Sequence, residues 1–257
     1  MSVPEVEIVR EGAVLRVTVN RPQKHNALSR SVLDTLRHIF TDHSADDALK
    51  LAVLGGAGDK SFAAGGDLRD LASVRSLAEA TEMAEQAKAA LNAIRDFPVP
   101  VVAALNGDAM GGGAELALSC DFRVAAAHAR IGFVQGRLNI STAWGGGVDL
   151  MSLLGPSKAL DVLCRAEMYP AAEALAVGLV DAVAAEDQDL ADCVDAYAAP
   201  FLRQTPQVLR AFKALAAEAR RGAPRAELDA LETRNFAATW VHEDHWTAAD
   251  KVLAKRD

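Results

Sequence analysis

Positive charge is in deficit in this chain of 257 residues: 27 lysines and arginines stand against 35 aspartates and glutamates, a formal charge of -8. A nucleic-acid or anionic-membrane surface needs a clustered basic face that displaces counterions, and no long Lys/Arg run occurs, so neither partner is expected. Any anionic ligand must instead be met by local groups. Aromatic residues make up only 5%, so a core has to be assembled from alanine, valine and leucine. There are three cysteines, Cys120, Cys164 and Cys193, far apart and without CxxC or histidine spacing for zinc; they read as buried free thiols. Cys164, in KALDVLCR, has no histidine near it in sequence to activate it. No apolar stretch is long enough to cross a bilayer, and the opening MSVPEVEIVREG lacks the basic and apolar regions of a secretory signal, so a cytoplasmic setting is the expectation. Neither a Gly/Ser/Pro linker nor an internal repeat divides the chain.

What is present is an alternation of strand and helix patterns. VLRVTVN (14–20) alternates apolar and polar residues as a half-buried strand does, and LSRSVLDTLRHIF (28–40) carries its apolar residues at helical spacing. LKLAVLGG (49–56) and VVAAL (101–105) are continuously apolar and read as strands buried on both faces. Between them a helical region over 68–95 ends at the breaker FPVP. DFRVAAA (121–127) is a further strand. Such alternation predicts an α/β layered core with parallel neighbours. Beyond Gly155 the chain turns to alanine-rich amphipathic helices. The expected division is a core over 1–195 and a C-terminal helical region over 196–257.

Two glycine clusters stand at strand-to-helix turns. In GDAMGGGAE (107–115) three glycines open a predicted helix; in FAAGGDL (62–68) a pair follows a predicted strand. Glycine removes the Cβ that would block approach to a backbone N–H. First-turn N–H groups of a helix lack internal partners and sit at the positive end of its dipole, so such a junction favours an anion. Taken alone, three glycines favour a turn or a close helix-strand packing, and either cluster by itself is a weak signal.

Taken in order, these motifs carry a resemblance. With VTVNRPQKHNAL before them, FPVPVVAALNG between them, and CDFRVA (120–125), WGGG (144–147), AAEALAVGLVDAV and the terminal AADKVLAKR after, nearly the whole chain resembles the enoyl-CoA hydratase/isomerase (crotonase) superfamily. The resemblance implies a spiral of ββα units forming two roughly perpendicular sheets. C-terminal helices would make trimer contacts, commonly in hexamers of two trimers. It further implies an acyl-CoA thioester whose carbonyl oxygen is held by the backbone N–H groups at the positions of Gly66 and Gly112. Coenzyme A is then part of the substrate, and no separate cofactor and no metal is implied. Lys24, His25 and Ala27 in the early turn, and Ala64, Leu68 and Arg69 around the first donor, look like CoA contacts, with the Ala64 carbonyl facing adenine. Asp67, within that second group, is expected to cap the following helix.

Glu115 falls in the first turn of the helix that carries Gly112, where partial desolvation raises a carboxyl towards a useful pKa. Hydratases of the superfamily resemble a two-carboxylate arrangement, and here the position matching the second acid is Gln135, in ARIGFVQGRLNI. An amide orients water but does not hold and deliver a proton near neutral pH. Three reactions therefore remain open: hydration with Glu115 as the one acid and Gln135 orienting the water, double-bond isomerisation, and decarboxylation of an ethylmalonyl- or methylmalonyl-type thioester. GGGAE, CDFR, FVQ and WGG together are similar to the ethylmalonyl-CoA decarboxylase branch. STAWGGG has Thr142, Ala143 and Trp144 where hydrolases and dehalogenases of the family place an aspartate, which disfavours those branches. Trp144 is a candidate wall of the acyl pocket. Trp240 and Trp246 are expected to pack the terminal helices, and His242 and His245 to lie in a solvated turn between them. A non-catalytic acyl-CoA-binding scaffold is the alternative class, which retention of Glu115 and both glycines argues against. An RNA-binding role lacks its basic stretch.

Overall fold

The structure, a computed structural model, describes residues 3–254. The last two residues of the AADKVLAKR match, Lys255 and Arg256, lie outside the described residues. Along the chain, β1 (Val6–Glu11) and β2 (Val14–Val19) form an antiparallel hairpin, followed by α1 (Arg30–Asp42), β3 (Leu51–Gly56), β4 (Ser61–Ala63), α2 (Leu77–Arg95), β5 (Val101–Leu105) and β6 (Asp108–Met110). Next come α3 (Gly112–Ser119), β7 (Phe122–Ala125), β8 (Arg130–Gly132), α4 (Gly146–Leu154), α5 (Pro156–Arg165), β9 (Tyr169–Pro170), α6 (Ala171–Val177) and β10 (Ala182–Val183). Four helices finish the described chain: α7 (Leu190–Leu202), α8 (Pro206–Arg220), α9 (Arg225–Trp240) and α10 (Glu243–Leu253).

The strands form two sheets. The larger runs β1-β2-β3-β5-β7-β10, parallel from β2 onward, and the smaller runs β4-β6-β8-β9, parallel except for β9 at its edge. This is the expected mixed α/β architecture with helices following it. The continuous apolar runs of β3 and β5 are explained by helices on both faces. With period two, Leu51, Val53 and Val102 face Val194 and Ala198 of α7, whereas Ala52, Leu54, Val101 and Ala103 face the main core with Leu36 and Phe40 of α1 and Leu91 and Ile94 of α2. Phe40 and Phe97 close that core edge-to-face, 5.2 Å between ring centres. Residue 195 falls inside α7, which packs on the large sheet as one continuous helix.

Three expectations need correction. The helical region placed over 68–95 begins only at Leu77. Residues 68–73 are turns, because the Asp67 carboxylate accepts the N–H groups of Arg69 and Asp70 and stops the segment as a local loop. The helix proper has its own start signal, a capping box in which Ser76 and Glu79 satisfy each other's backbone. Asp67 therefore caps a turn and not the helix. Of the three thiols only Cys120 is buried; Cys164 is exposed on α5 with Leu160, one helical turn away, and Cys193 is half-buried. Burial pushes the Cys120 thiol up to about 12, which leaves it inert.

Candidate active site

The site is built on the carboxyl ends of three neighbouring parallel strands. β4 runs out into Ala64, Gly65 and Gly66, β6 into Gly111 and α3, and β8 towards Gln135; β6 pairs with β4 on one side and β8 on the other. Adjacent strands lie roughly 4.8 Å apart, so the ladder itself sets the spacing of the turns at the strand ends.

The triple glycine at the β6 end divides the work. Gly111 takes φ 56, the left-handed region that favours glycine, and its N–H donates to Gly132 O at 2.9 Å. Gly113 rests so close to the Ala63 carbonyl of β4 that a Cβ has no room. The start of α3 is thereby pressed onto the strand that leads to Gly66. The two turns touch: a Cβ on Gly65 would stand 3.3 Å from the Gly112 nitrogen. Among the described residues no protein acceptor takes the N–H of Gly66 or of Gly112. The Gly66 and Gly112 amides thus stand at neighbouring turns with no acceptor among the described residues.

Glu115 lies in the first turn of α3, 2% exposed. Its Oε2 accepts the N–H groups of Trp144 and Gly146, each at 2.9 Å, and its Oε1 accepts from Gln135 Nε2 at 3.0 Å. All of these donors are neutral. Burial pushes the Glu115 carboxyl above the ordinary glutamate value, and the hydrogen bonds from Gly146, Trp144 and Gln135 pull it part of the way back. With Nε2 committed to the carboxylate, the buried Gln135 Oε1 has no hydrogen-bond partner among the described residues, which is uncommon for a buried acceptor.

The loop that supplies the two amides is itself clamped. Arg95, at the end of α2, donates from Nη2 to Trp144 O at 3.0 Å and forms an ion pair of 2.7 Å with Asp149 of α4. Sequence reasoning missed both residues, since an arginine before FPVP and an aspartate after WGGG have no local pattern; the glycine run 145–147 was the available signal. Trp144 is buried with its six-membered ring against both donor glycines.

The expected CoA contacts also converge. Ala64 N–H donates to His25 O at 3.1 Å and Leu28 N–H to Gly65 O at 2.8 Å, which docks the early turn onto the first donor turn. Lys24, His25, Leu68 and Arg69 are exposed, and Ala27 and Ala64 half-buried, around this junction. Asp67 is engaged within the protein: Arg21 Nη2 meets its Oδ2 at 2.9 Å and Lys24 Nζ stands 4.0 Å away. Burial alone would push its carboxyl up, but Arg21 and the Asp70 and Arg69 amides hold it below the ordinary aspartate value. The buried Arg21 and Asn26, which lock this turn, were likewise invisible as functional positions. His242 accepts from Asp244 N–H at the start of α10, and Trp240 of α9 and Trp246 of α10 meet edge-to-face. Among the described residues no cluster of His, Cys, Asp and Glu suits a metal ion.

Comparison with known proteins gives the same picture. The family model for enoyl-CoA hydratase/isomerase matches residues 9–257. A crotonyl-CoA hydratase of Syntrophomonas wolfei is 31% identical over 259 residues, covering 100% of this chain and 97% of that protein. Among solved structures, an enoyl-CoA hydratase from Bacillus anthracis superposes with a TM-score of 0.90 at 26% identity, over 98% of this chain and 97% of that one. A putative enoyl-CoA hydratase from Thermobifida fusca in complex with CoA gives 0.80 at 27% identity, over 91% and 92%. The match of the family model over residues 9–257 and this agreement over the whole length make the chain a member of the enoyl-CoA hydratase/isomerase family.

Proposed function

We propose that the protein is an acyl-CoA lyase that adds water across the 2,3-double bond of an enoyl-CoA thioester. The observation that carries this reading is the pair formed by Glu115 and Gln135 beside the two donor glycines: a buried acid held by neutral donors, next to an orphaned acceptor. In the reaction, the thioester oxygen accepts from the Gly66 and Gly112 amides and takes up charge as water attacks C3. Loss of one such donor costs about 3–4 kcal/mol of transition-state stabilisation. One O–H of the water donates to Gln135 Oε1 and the other gives its proton to Glu115, which returns a proton to C2. A single carboxylate then serves as base and acid in turn.

A second reading is favoured by one feature, the neutral amide at Gln135 where a second acid is expected. Decarboxylation of an alkylmalonyl-CoA generates the same enolate, uses the same two amides and needs no second carboxylate. Incubation with crotonyl-CoA and, separately, with ethylmalonyl- and methylmalonyl-CoA, with products followed by mass, tests the assignment. Water addition without carbon dioxide release supports the hydratase; the reverse replaces it with the decarboxylase. Tight binding of all three thioesters without turnover marks a binding module.

The reading needs no cofactor beyond the coenzyme A carried by the substrate, and assigns the protein to the cytoplasm; no described helix is long and apolar enough to cross a membrane. It also assigns the exposed Phe236, Trp240 and Val241 around α9, which buries no residue in the single chain, to contacts with further copies in a trimer or hexamer.

A further inference from the structure

The ring of Trp144 sits between the donor glycines and an unfilled pocket. A Cβ placed on Gly112 would lie 2.7 Å from the indole Cη2, and one on Gly66 would lie 3.5 Å from that same atom. One ring edge therefore covers both glycines. Leu71 closes on Gly66 from the side, its Cδ1 3.0 Å from the Gly66 Cβ position. Trp144 and Leu71 also line a pocket of about 360 Å³ between α1 and α2, together with Leu33, Met83 and Ala87.

The main-chain N–H of Trp144 is spent on Glu115 Oε2 and its carbonyl on Arg95 Nη2, so the backbone on which the ring stands is held from both sides. We infer that the Trp144 indole is a stop that ends a short acyl site, and that the pocket behind it is a latent chain-length site for the tail of a longer acyl group. The inference rests on the reading that Gly66 and Gly112 hold a thioester oxygen. An acyl chain leaving a carbonyl at those amides meets the ring within a few atoms, so the substrate class is a crotonyl-sized, short-chain thioester. Beyond the ring, Leu33, Met83 and Ala87 offer an apolar wall to methylenes, while Arg30, Gln86 and the Arg37 and Asp34 ion pair supply the polar part of the lining.

The test uses calorimetric binding of two saturated, unreactive thioesters, butyryl-CoA and octanoyl-CoA, so that it does not depend on which reaction is catalysed. The wild type is expected to favour butyryl-CoA. Trp144→Ala is expected to raise the octanoyl-to-butyryl affinity ratio by about tenfold or more, because burying extra methylenes is favourable. Trp144→Phe shifts the ratio in the same direction by less, and Ala87→Phe added to Trp144→Ala refills the pocket and returns the ratio towards the wild-type value. A ratio unchanged in folded Trp144→Ala and Trp144→Phe proteins, both thioesters still binding, overturns the inference and leaves the thioester reading intact. If Trp144→Ala does not fold, the direction of the Trp144→Phe ratio decides alone. Failure of the wild type to bind either thioester overturns the thioester reading and the inference with it.

Discussion

Two carboxylates with little exposure are held in opposite ways. Asp121, at the start of β7, is met by cations: Lys213 Nζ stands 2.6 Å from both carboxylate oxygens and Arg220 Nη2 3.2 Å from Oδ1, with the Val101 N–H completing the set. Glu115 is met by three neutral N–H donors and, among the described residues, by no cation. Paired with two cations, Asp121 is an anchor that ties α8 to the large sheet. Neutral dipoles solvate Glu115 while leaving burial to raise its pKa, which is what an acid that must gain and lose a proton requires. Burial of a carboxylate does not by itself tell structure from chemistry; the charge of its partners does.

The contrast can be broken from either end. Glu115→Gln is expected to lower kcat by about 10²–10⁴, the range for removing a positioned acid or base, while calorimetry shows the thioester still bound. Lys213→Met leaves Asp121 buried with Arg220 alone and should cost about 3 kcal/mol in urea unfolding, with the pH profile of the surviving activity unchanged. Arg95→Met releases the loop carrying the Trp144 and Gly146 amides. These amides favour the ionised form of Glu115, so weakening them raises its pKa, and the acid limb of kcat/KM should move to higher pH with rates down about tenfold; Arg95→Lys should restore part of both. The smallest effect is on stability. A carboxyl whose pKa is raised on folding contributes stability that is complete below the unfolded value and is lost as pH rises through the folded one. Glu115→Gln should therefore melt above the wild type at pH 8, and the gap should close towards pH 4.

Much of the fold was legible because long apolar runs and helical periodicity report burial directly, as in VVAAL and in α1. The small sheet was not: β4, β6 and β8 have three residues each, too few to show a period, and β4 and β6 were visible only through the glycines that come after them. The turn at 68–73 was misread because leucine and alanine favour a helix that the Asp67 side chain locally prevents. At the site, the glycines, Glu115 and Gln135 were readable as motif positions. Arg21, Arg95 and Asp149 act at separations of 46 and 54 residues, where no local pattern predicts a partner.

The placement of the donor amides and the acid at the tips of three hydrogen-bonded strands has a thermal consequence. Their alignment rests on the β4–β6–β8 ladder, a part of the core expected to open together with the rest of it. Warming should therefore leave the chemistry in register until the chain loses its structure cooperatively, so that inactivation and denaturation trace one curve.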